Sequence, residues 1–169
     1  NSLIFGIDLH DKRALEERRI RIFQGDQSDS EFLRNVVREI GGVDIIIDDG
    51  SHINQHVITS FEALFPLLSD GGIYAVEDTC TSYWKPFGGS SEYLNSCRTV
   101  MGYFKGLADC LNYEEFIRPG YQPTYFDQHI VGMAFYHSLV FVFKGENREG
   151  SPVVTDNTEP DWSRWRVGA

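Results

Sequence analysis

The residues with the clearest chemical potential close an apolar run in the middle of the chain. The segment IIIDDGSH, residues 45–52, ends in two adjacent aspartates, and a histidine follows three residues after the second aspartate. Three consecutive isoleucines are typical of a buried strand. Charged groups at the end of a buried strand are costly to desolvate, so they commonly have a ligand or a partner. Asp48, Asp49 and His52 are therefore candidates for a functional site.

Three other apolar runs also end in acids, namely Asp8, Asp26 and the pair Glu77–Asp78. In an open parallel sheet the ligand lies beyond the carboxyl ends of the strands, so these carboxylates are expected to face one crevice. The strands that end at Asp49 and Glu77 are joined by one crossover. We expect them to be neighbours, about 4.8 Å apart.

Asp49, Glu77 and Asp78 are predicted to bind a divalent cation. Three crowded carboxylates repel one another, so either at least one stays protonated or a cation lies between them. All-oxygen ligation suits a hard ion, with Mg²⁺ favoured over Ca²⁺ or Mn²⁺. The alternative is that these acids cap helix N-termini, where the helix dipole favours negative charge.

His52 is the candidate general base. It is expected at the start of the helix that follows the third strand, where the helix dipole disfavours the imidazolium. A neutral imidazole at this place could accept a proton from a ligand held by the metal. The alternative is an ordinary exposed or capping histidine.

Asp8, Asp26, Gln27 and Asp48 are assigned to a cofactor. In this architecture an acid at the end of the second strand hydrogen-bonds the ribose hydroxyls of an adenosine ligand, which is the role predicted for Asp8. Asp26 and Gln27 would lie beside the adenine ring.

The glycine-rich turn that normally opens a nucleotide-binding fold is not found in this sequence. None of the 16 glycines forms a Gly-x-Gly-x-x-Gly turn. The chain is therefore expected to begin at the second strand of the fold.

The elements that position these residues alternate between strands and helices. This order predicts an α/β fold with a doubly wound, Rossmann-like sheet, mostly parallel and with helices on both faces. A helix is predicted over residues 92–111, with Cys97 and Cys110 on its apolar stripe. The segment IVGMAFYHSLVFVFKG predicts an antiparallel hairpin that turns near His137 and Ser138.

The predicted domain organisation is a single catalytic domain followed by a tail. Residues 1–147 would form the domain, N-terminally incomplete because the first strand is missing, and residues 148–169 an irregular tail. The large apolar side chains of Trp162 and Trp165 indicate that the tail either folds back on the domain or forms an interface.

Composition narrows the class of protein. The formal net charge of −10 leaves no basic field to hold phosphates, so no nucleic-acid partner is expected. No apolar run approaches the roughly 18 residues of a membrane span, and no signal peptide is visible, which predicts a cytoplasmic protein. The cysteines, Cys80, Cys97 and Cys110, are odd in number and predict reduced thiols. The sequence leaves open whether the protein forms a homo-oligomer.

Several motifs together resemble one known family. GIDLHDK, FQGDQSD, VDIIIDDGSH, FEALFPLLSDGGIYAVEDTCTSYW and FYHSLVFVFKG are similar to motifs of metal-dependent sugar O-methyltransferases of macrolide biosynthesis. Mycinamicin, demethylmacrocin and rhamnosyl O-methyltransferases are of this type. The resemblance covers residues 3–147, and Asp-Asp-Gly-Ser-His followed by Glu-Asp-x-x-Thr-Ser-Tyr-Trp is its most specific part.

The resemblance implies a class I methyltransferase that uses S-adenosylmethionine and Mg²⁺ to methylate a sugar hydroxyl of a glycosylated natural product. It implies the metal ligands Asp49, Glu77 and Asp78 and the base His52. It also implies that Tyr83 and Trp84 line the sugar acceptor. The chain departs from the family in lacking the first strand and its glycine motif.

Two other functions are compatible with the residues. A metal-dependent nucleotide-sugar glycosyltransferase also uses paired acids at strand ends, but Asp8 and Asp26 favour an adenosine ligand. A truncated, non-catalytic Rossmann-like domain would explain the absent glycine motif. The intact set of Asp49, His52 and the two later acids argues for an active parent protein.

Overall fold

The computed structural model describes residues 2–164 and contains six strands and four α-helices, joined by short 3₁₀ turns. In chain order these are β1 Ile4–Asp8, β2 Ile20–Gln24, α1 Ser30–Ile40, β3 Val43–Asp48, α2 Asn54–Leu64, β4 Leu68–Glu77, α3 Val100–Leu107, α4 Tyr125–His129, β5 Ile130–Tyr136 and β6 Leu139–Lys144.

The strands form two separate sheets. β1 pairs with β2 in parallel, and the other four strands form a sheet of order β3-β4-β6-β5. Within that sheet β3 and β4 are parallel, whereas β6 is antiparallel to both β4 and β5. The α/β class and the antiparallel hairpin are confirmed. The hairpin turns at Ser138, which holds a left-handed backbone with φ of 60°.

Local sequence signals explain the limits of α1. The Asp29 side chain accepts hydrogen bonds from the backbone N–H groups of Glu31 and Phe32, which satisfies two donors at the helix start. Gly41 ends the helix in the left-handed conformation, with φ of 84°. The sequence offers Ser28, Asp29 or Ser30 as the cap and Gly41-Gly42 as the end, and the structure uses Asp29 and Gly41.

The core lies between three helices and the larger sheet. Phe61 of α2 is fully buried, and its ring centroid lies 5.0 Å from that of Tyr74 on β4 and 4.8 Å from that of Phe104 on α3. Leu33 and Val37 of α1 belong to the same cluster. On β3, by contrast, Ile45 and Ile47 are 61% and 62% exposed, although three consecutive isoleucines predict a fully buried strand.

The prediction of a helix over residues 92–111 is wrong at both ends. The α-helix begins only after Thr99, whose side chain accepts a hydrogen bond from the backbone N–H of Gly102. From Ala108 the chain continues as 3₁₀ turns to Glu115. Cys97 precedes α3 and is exposed, so it is not part of an apolar stripe, whereas Cys110 is buried.

The fourth strand is longer than its apolar run indicates. It begins at Leu68, so Gly71 and Gly72 lie within the strand and do not end the preceding helix. That helix stops at Leu64, and Pro66 follows in a 3₁₀ turn, consistent with the helix-breaking effect of proline.

Residues that follow β6 pack on the 3₁₀ segment after α3. The Asn157 side chain donates hydrogen bonds to the carbonyl oxygens of Tyr113 and Phe116, and its carbonyl accepts one from the backbone N–H of Arg118. The indole of Trp162 donates to Glu159, and Trp165 lies outside the described residues. The predicted boundary at residue 147 stays a prediction. Among the described residues no helix is long and apolar enough to cross a membrane.

Candidate metal centre

Asp49, His52 and Asp78 converge where β3 and β4 end. One ligand atom from each residue lies within 4.8 Å of those of the other two. The imidazole Nε2 of His52 is 3.9 Å from Oδ1 of Asp49 and 3.7 Å from Oδ2 of Asp78. Both carboxylates are more than half exposed, whereas the His52 side chain is mostly covered. The two carboxylates are hard oxygen donors of the kind that a divalent cation prefers, and the neutral imidazole beside them can accept a proton.

The backbone at this place is strained. His52 and Asp78 both hold left-handed conformations, with φ of 56° and 50°. A non-glycine residue in this region costs of order 1–3 kcal/mol and persists only where its surroundings impose it. Such residues cluster at functional sites, so the strain supports a functional role for this cluster independently of its chemistry.

Asp48 differs from its neighbour Asp49 because its carboxylate points into the protein. It is 7% exposed and accepts hydrogen bonds from the Ser60 hydroxyl of α2, the Tyr74 hydroxyl of β4 and the Gln27 amide. Burial raises the pKa of this carboxyl above its ordinary value, and the hydrogen bonds partly offset that effect. Asp48 is thus held inside the protein next to Asp49, and its predicted role in cofactor binding stays a prediction.

Gln27 lies at the same end, in the turn between β2 and α1. Besides its bond to Asp48, its Oε1 accepts a hydrogen bond of 2.8 Å from the backbone N–H of Ser51. The predicted placement of Gln27 at the crevice agrees with this position, but its side chain contacts the loop of Asp49 and His52. Its role beside an adenine ring stays a prediction.

Asp8 is the last residue of β1, and Asp26 follows the end of β2 by two residues. Oδ1 of Asp8 accepts a hydrogen bond of 2.7 Å from the backbone N–H of His10. Oδ1 of Asp26 accepts from both the backbone N–H and the hydroxyl of Ser28, which lowers the pKa of Asp26. Both acids therefore lie at the carboxyl end of the smaller sheet, and neither belongs to the cluster of Asp49, His52 and Asp78.

Glu77 and the two predicted acceptor residues lie on either side of Asp78. Glu77 is the last residue of β4, it is exposed, and it is outside the cluster. Tyr83 and Trp84 are exposed in the segment after Asp78, where the Trp84 ring packs on Phe87 at 6.0 Å. Their predicted roles in metal and acceptor binding stay predictions.

Ser138 positions the backbone of the site. The sequence predicts only that this residue lies in a turn. Its carbonyl accepts a hydrogen bond of 3.2 Å from the backbone N–H of Thr79, and its hydroxyl accepts one of 3.3 Å from the backbone N–H of Cys80. The turn of the β5–β6 hairpin therefore holds the backbone that follows Asp78. The hairpin turn predicted between two strands was the only sequence signal for it.

Comparison with known proteins shows similarity to O-methyltransferases. The mycinamicin VI 2''-O-methyltransferase of Micromonospora griseorubida is 48% identical over 148 residues, which is 87% of this chain and 37% of that protein. The demethylmacrocin O-methyltransferase of Streptomyces fradiae is 48% identical over 149 residues, which is 88% of this chain and 38% of that protein. No protein-family model matches the chain.

Solved structures agree with this similarity. The MycE methyltransferase from the mycinamycin biosynthetic pathway, in complex with Mg, SAH and mycinamycin VI, matches with a TM-score of 0.84 and 45% identity. The match covers 95% of this chain and 39% of that one. A second crystal form with Mg and SAH gives a TM-score of 0.86 at 42% identity, covering 99% of this chain and 43% of that one.

These relatives confirm the resemblance that the motifs indicate, and with it the Rossmann-like fold. The chain spans less than half the length of the relatives it matches.

Proposed function

We propose that this homologue of sugar O-methyltransferases is part of an S-adenosylmethionine-dependent, Mg²⁺-dependent O-methyltransferase. Its acceptor would be a sugar hydroxyl of a glycosylated natural product. The observation that carries the proposal is the convergence of Asp49, His52 and Asp78 at the ends of β3 and β4. The names of the relatives favour this reaction over glycosyl transfer.

The cluster accounts for the chemistry of such a reaction. A sugar hydroxyl is a poor nucleophile because its pKa is far above neutrality. Mg²⁺, when bound, supplies the charge that lowers this pKa. Asp49 and Asp78 would hold the ion, with Glu77 as a further predicted ligand. The covered imidazole of His52 would accept the hydroxyl proton at Nε2 as the oxygen–carbon bond forms and the sulfur–methyl bond breaks.

The remaining predicted residues would bind and orient the reactants. Asp8 would hold the ribose of the cofactor, and Asp26 and Gln27 would lie near its adenine. Tyr83 and Trp84, exposed beyond Asp78, would line the sugar. Orientation matters here because methyl transfer needs in-line placement of the oxygen, the methyl carbon and the sulfur. We also propose that the protein is located in the cytoplasm. Whether it forms a homo-oligomer stays open.

Calorimetric titration of S-adenosylhomocysteine into the chain, with Mg²⁺ and then with a chelator, tests the cofactor site. We expect binding that weakens when the metal is removed. The Asp8→Ala variant should bind more weakly, because it lacks the carboxylate assigned to the ribose. Asp44→Ala serves as the matched control, since Asp44 is an exposed aspartate near the start of β3.

Transfer of a labelled methyl group to a glycosylated macrolide tests the reaction itself. Removal of the base in His52→Ala should lower turnover by about 10²–10⁴-fold. Undiminished turnover in that variant would exclude His52 as the base. Cofactor binding that is insensitive to both the metal and Asp8→Ala would contradict the proposed site.

A further inference from the structure

The side chain of Gln27 bridges the two ends of the turn that carries Asp49. Its Nε2 donates a hydrogen bond of 2.5 Å to Oδ1 of Asp48, the residue before Asp49. Its Oε1 accepts one of 2.8 Å from the backbone N–H of Ser51, the residue before His52. One amide group thus binds the chain on both sides of Asp49 and Gly50, although it belongs to a different strand-to-helix connection.

Asp48, one of the two groups that Gln27 joins, is held in place by hydrogen bonds from core residues. Asp48 also accepts a hydrogen bond from the Ser60 hydroxyl, whose oxygen lies 3.0 Å from the carbonyl oxygen of Val57 on the same helix. The Tyr74 hydroxyl donates to Asp48 at 3.3 Å, and Tyr74 is fully buried on β4. Because α2 and β4 hold the Asp48 carboxylate, the Gln27 amide bound to it is also held in place. The amide in turn fixes the backbone of Ser51 in the turn.

Gly50 shows how closely Gln27 approaches that turn. A Cβ atom at residue 50 would lie 2.4 Å from Oε1 and 2.9 Å from Cδ of Gln27. Gly50 is not among the glycines with positive φ, so its backbone conformation does not require glycine. The requirement is for space, and an added methyl group would displace the Gln27 amide.

From these contacts we infer that Gln27 is a positioning residue, which sets Asp49 and His52 for metal binding and proton transfer. The inference rests on the proposed function of the cluster and adds a role that is separate from contact with adenine. Residues that orient metal ligands through hydrogen bonds typically change metal affinity by 10–100-fold when they are replaced.

Titration of Mn²⁺ into the full chain tests the inference. Gln27→Met retains the length of the side chain but lacks the amide, and it should lower Mn²⁺ affinity by about 10–100-fold. Gln55→Ala is the matched control, because Gln55 is an exposed glutamine on α2 whose amide donates a hydrogen bond to Thr59 on its own helix. We expect its Mn²⁺ affinity to equal that of the unsubstituted chain.

Gly50→Ala supplies a second, independent arm. In the unsubstituted chain it should lower Mn²⁺ affinity about as much as removal of the amide in Gln27→Ala does, because the new methyl group displaces the amide. In the Gln27→Ala background the same change should have little further effect, since the clash is gone. Equal losses from Gly50→Ala in both backgrounds would overturn the inference.

Amide hydrogen exchange at Ser51 follows the bridge without any metal. Exchange should accelerate in Gln27→Met and stay unchanged in Gln55→Ala, because only the former removes the acceptor of this N–H. Failure of the unsubstituted chain to bind Mn²⁺ would contradict the proposed metal centre. Unchanged Mn²⁺ affinity or Ser51 exchange in Gln27→Met would contradict the positioning role alone.

Discussion

Nε2 of His52 lies 3.7 Å from Oδ2 of Asp78, and both residues hold left-handed backbone conformations. Two different connections, the turn after β3 and the 3₁₀ turn after β4, are thus bent so that a base and a carboxylate face each other. Gln27 accepts a hydrogen bond from the backbone N–H of Ser51 in the first connection, and Ser138 accepts one from the backbone N–H of Cys80 in the second. The cluster is therefore a consequence of long-range contacts.

Loss of either carboxylate of the cluster should abolish strong metal binding. For Asp49→Asn and Asp78→Asn we expect Mn²⁺ affinity to fall by at least the roughly 10–100-fold that is typical of outer-shell changes. Calorimetry measures this directly. Asp70→Asn, an exposed aspartate near the other end of β4, is the control and should bind normally. Equal affinity in all three variants would place the metal elsewhere.

Backbone strain at His52 should appear as a difference in unfolding free energy between the glycine and alanine variants at this position. Glycine accepts a φ of 56° without penalty, whereas alanine does not. We expect the metal-free His52→Gly variant to be more stable than His52→Ala by about 1 kcal/mol, measured by urea unfolding. At Asn35, in the interior of α1, the same pair should show the opposite order. A more stable His52→Ala variant would argue against the strained conformation.

Asp127 should make stability depend on acid pH. Burial alone would raise the pKa of this carboxyl, but hydrogen bonds from the Thr124 backbone N–H and the Tyr121 hydroxyl outweigh it and hold the pKa below the ordinary 3.8. The stabilisation is therefore complete above the ordinary value and is lost as the pH falls through the lowered pKa.

Urea unfolding of Asp127→Asn across the same acid range measures this contribution. At neutral pH the variant should be less stable by about 2 kcal/mol, because a charged acceptor of two hydrogen bonds is replaced. The difference from the unsubstituted chain should shrink as the pH is lowered. A difference that is constant with pH would show that the carboxylate charge is not the cause.

Phe61 should be the most sensitive position of the aromatic core. Its ring contacts those of Phe65, Tyr74 and Phe104, all within 5.0 Å between centroids. Phe61→Ala should cost about 3–5 kcal/mol of unfolding free energy through lost burial and a cavity. Tyr93→Ala is the control, since Tyr93 is 70% exposed and should change stability by less than about 0.5 kcal/mol. Thermal or urea unfolding compares the two variants.

Local sequence signals were sufficient for several elements. A capping residue among Ser28, Asp29 and Ser30 and the pair Gly41-Gly42 predict the limits of α1, and the apolar runs around His137 and Ser138 predict the β5–β6 hairpin. Local signals failed where the contacts that decide are distant. The helix before Leu111 begins at Val100, whose backbone N–H donates to the side chain of Asn54 on α2, and the glycines at 71 and 72 lie within β4 where its register with β3 shifts.

The sequence by itself determined which groups lie at the carboxyl ends of the strands, because strand direction and alternation with helices follow from the order of apolar runs. It thereby identified Asp49, His52 and Asp78 as candidates. Only the tertiary structure decided that these three meet, that Asp48 turns inward to Ser60 and Tyr74, and that Glu77 lies outside the cluster. The reason is physical: side-chain meetings depend on strand register and on loop conformations imposed by residues far away in the chain.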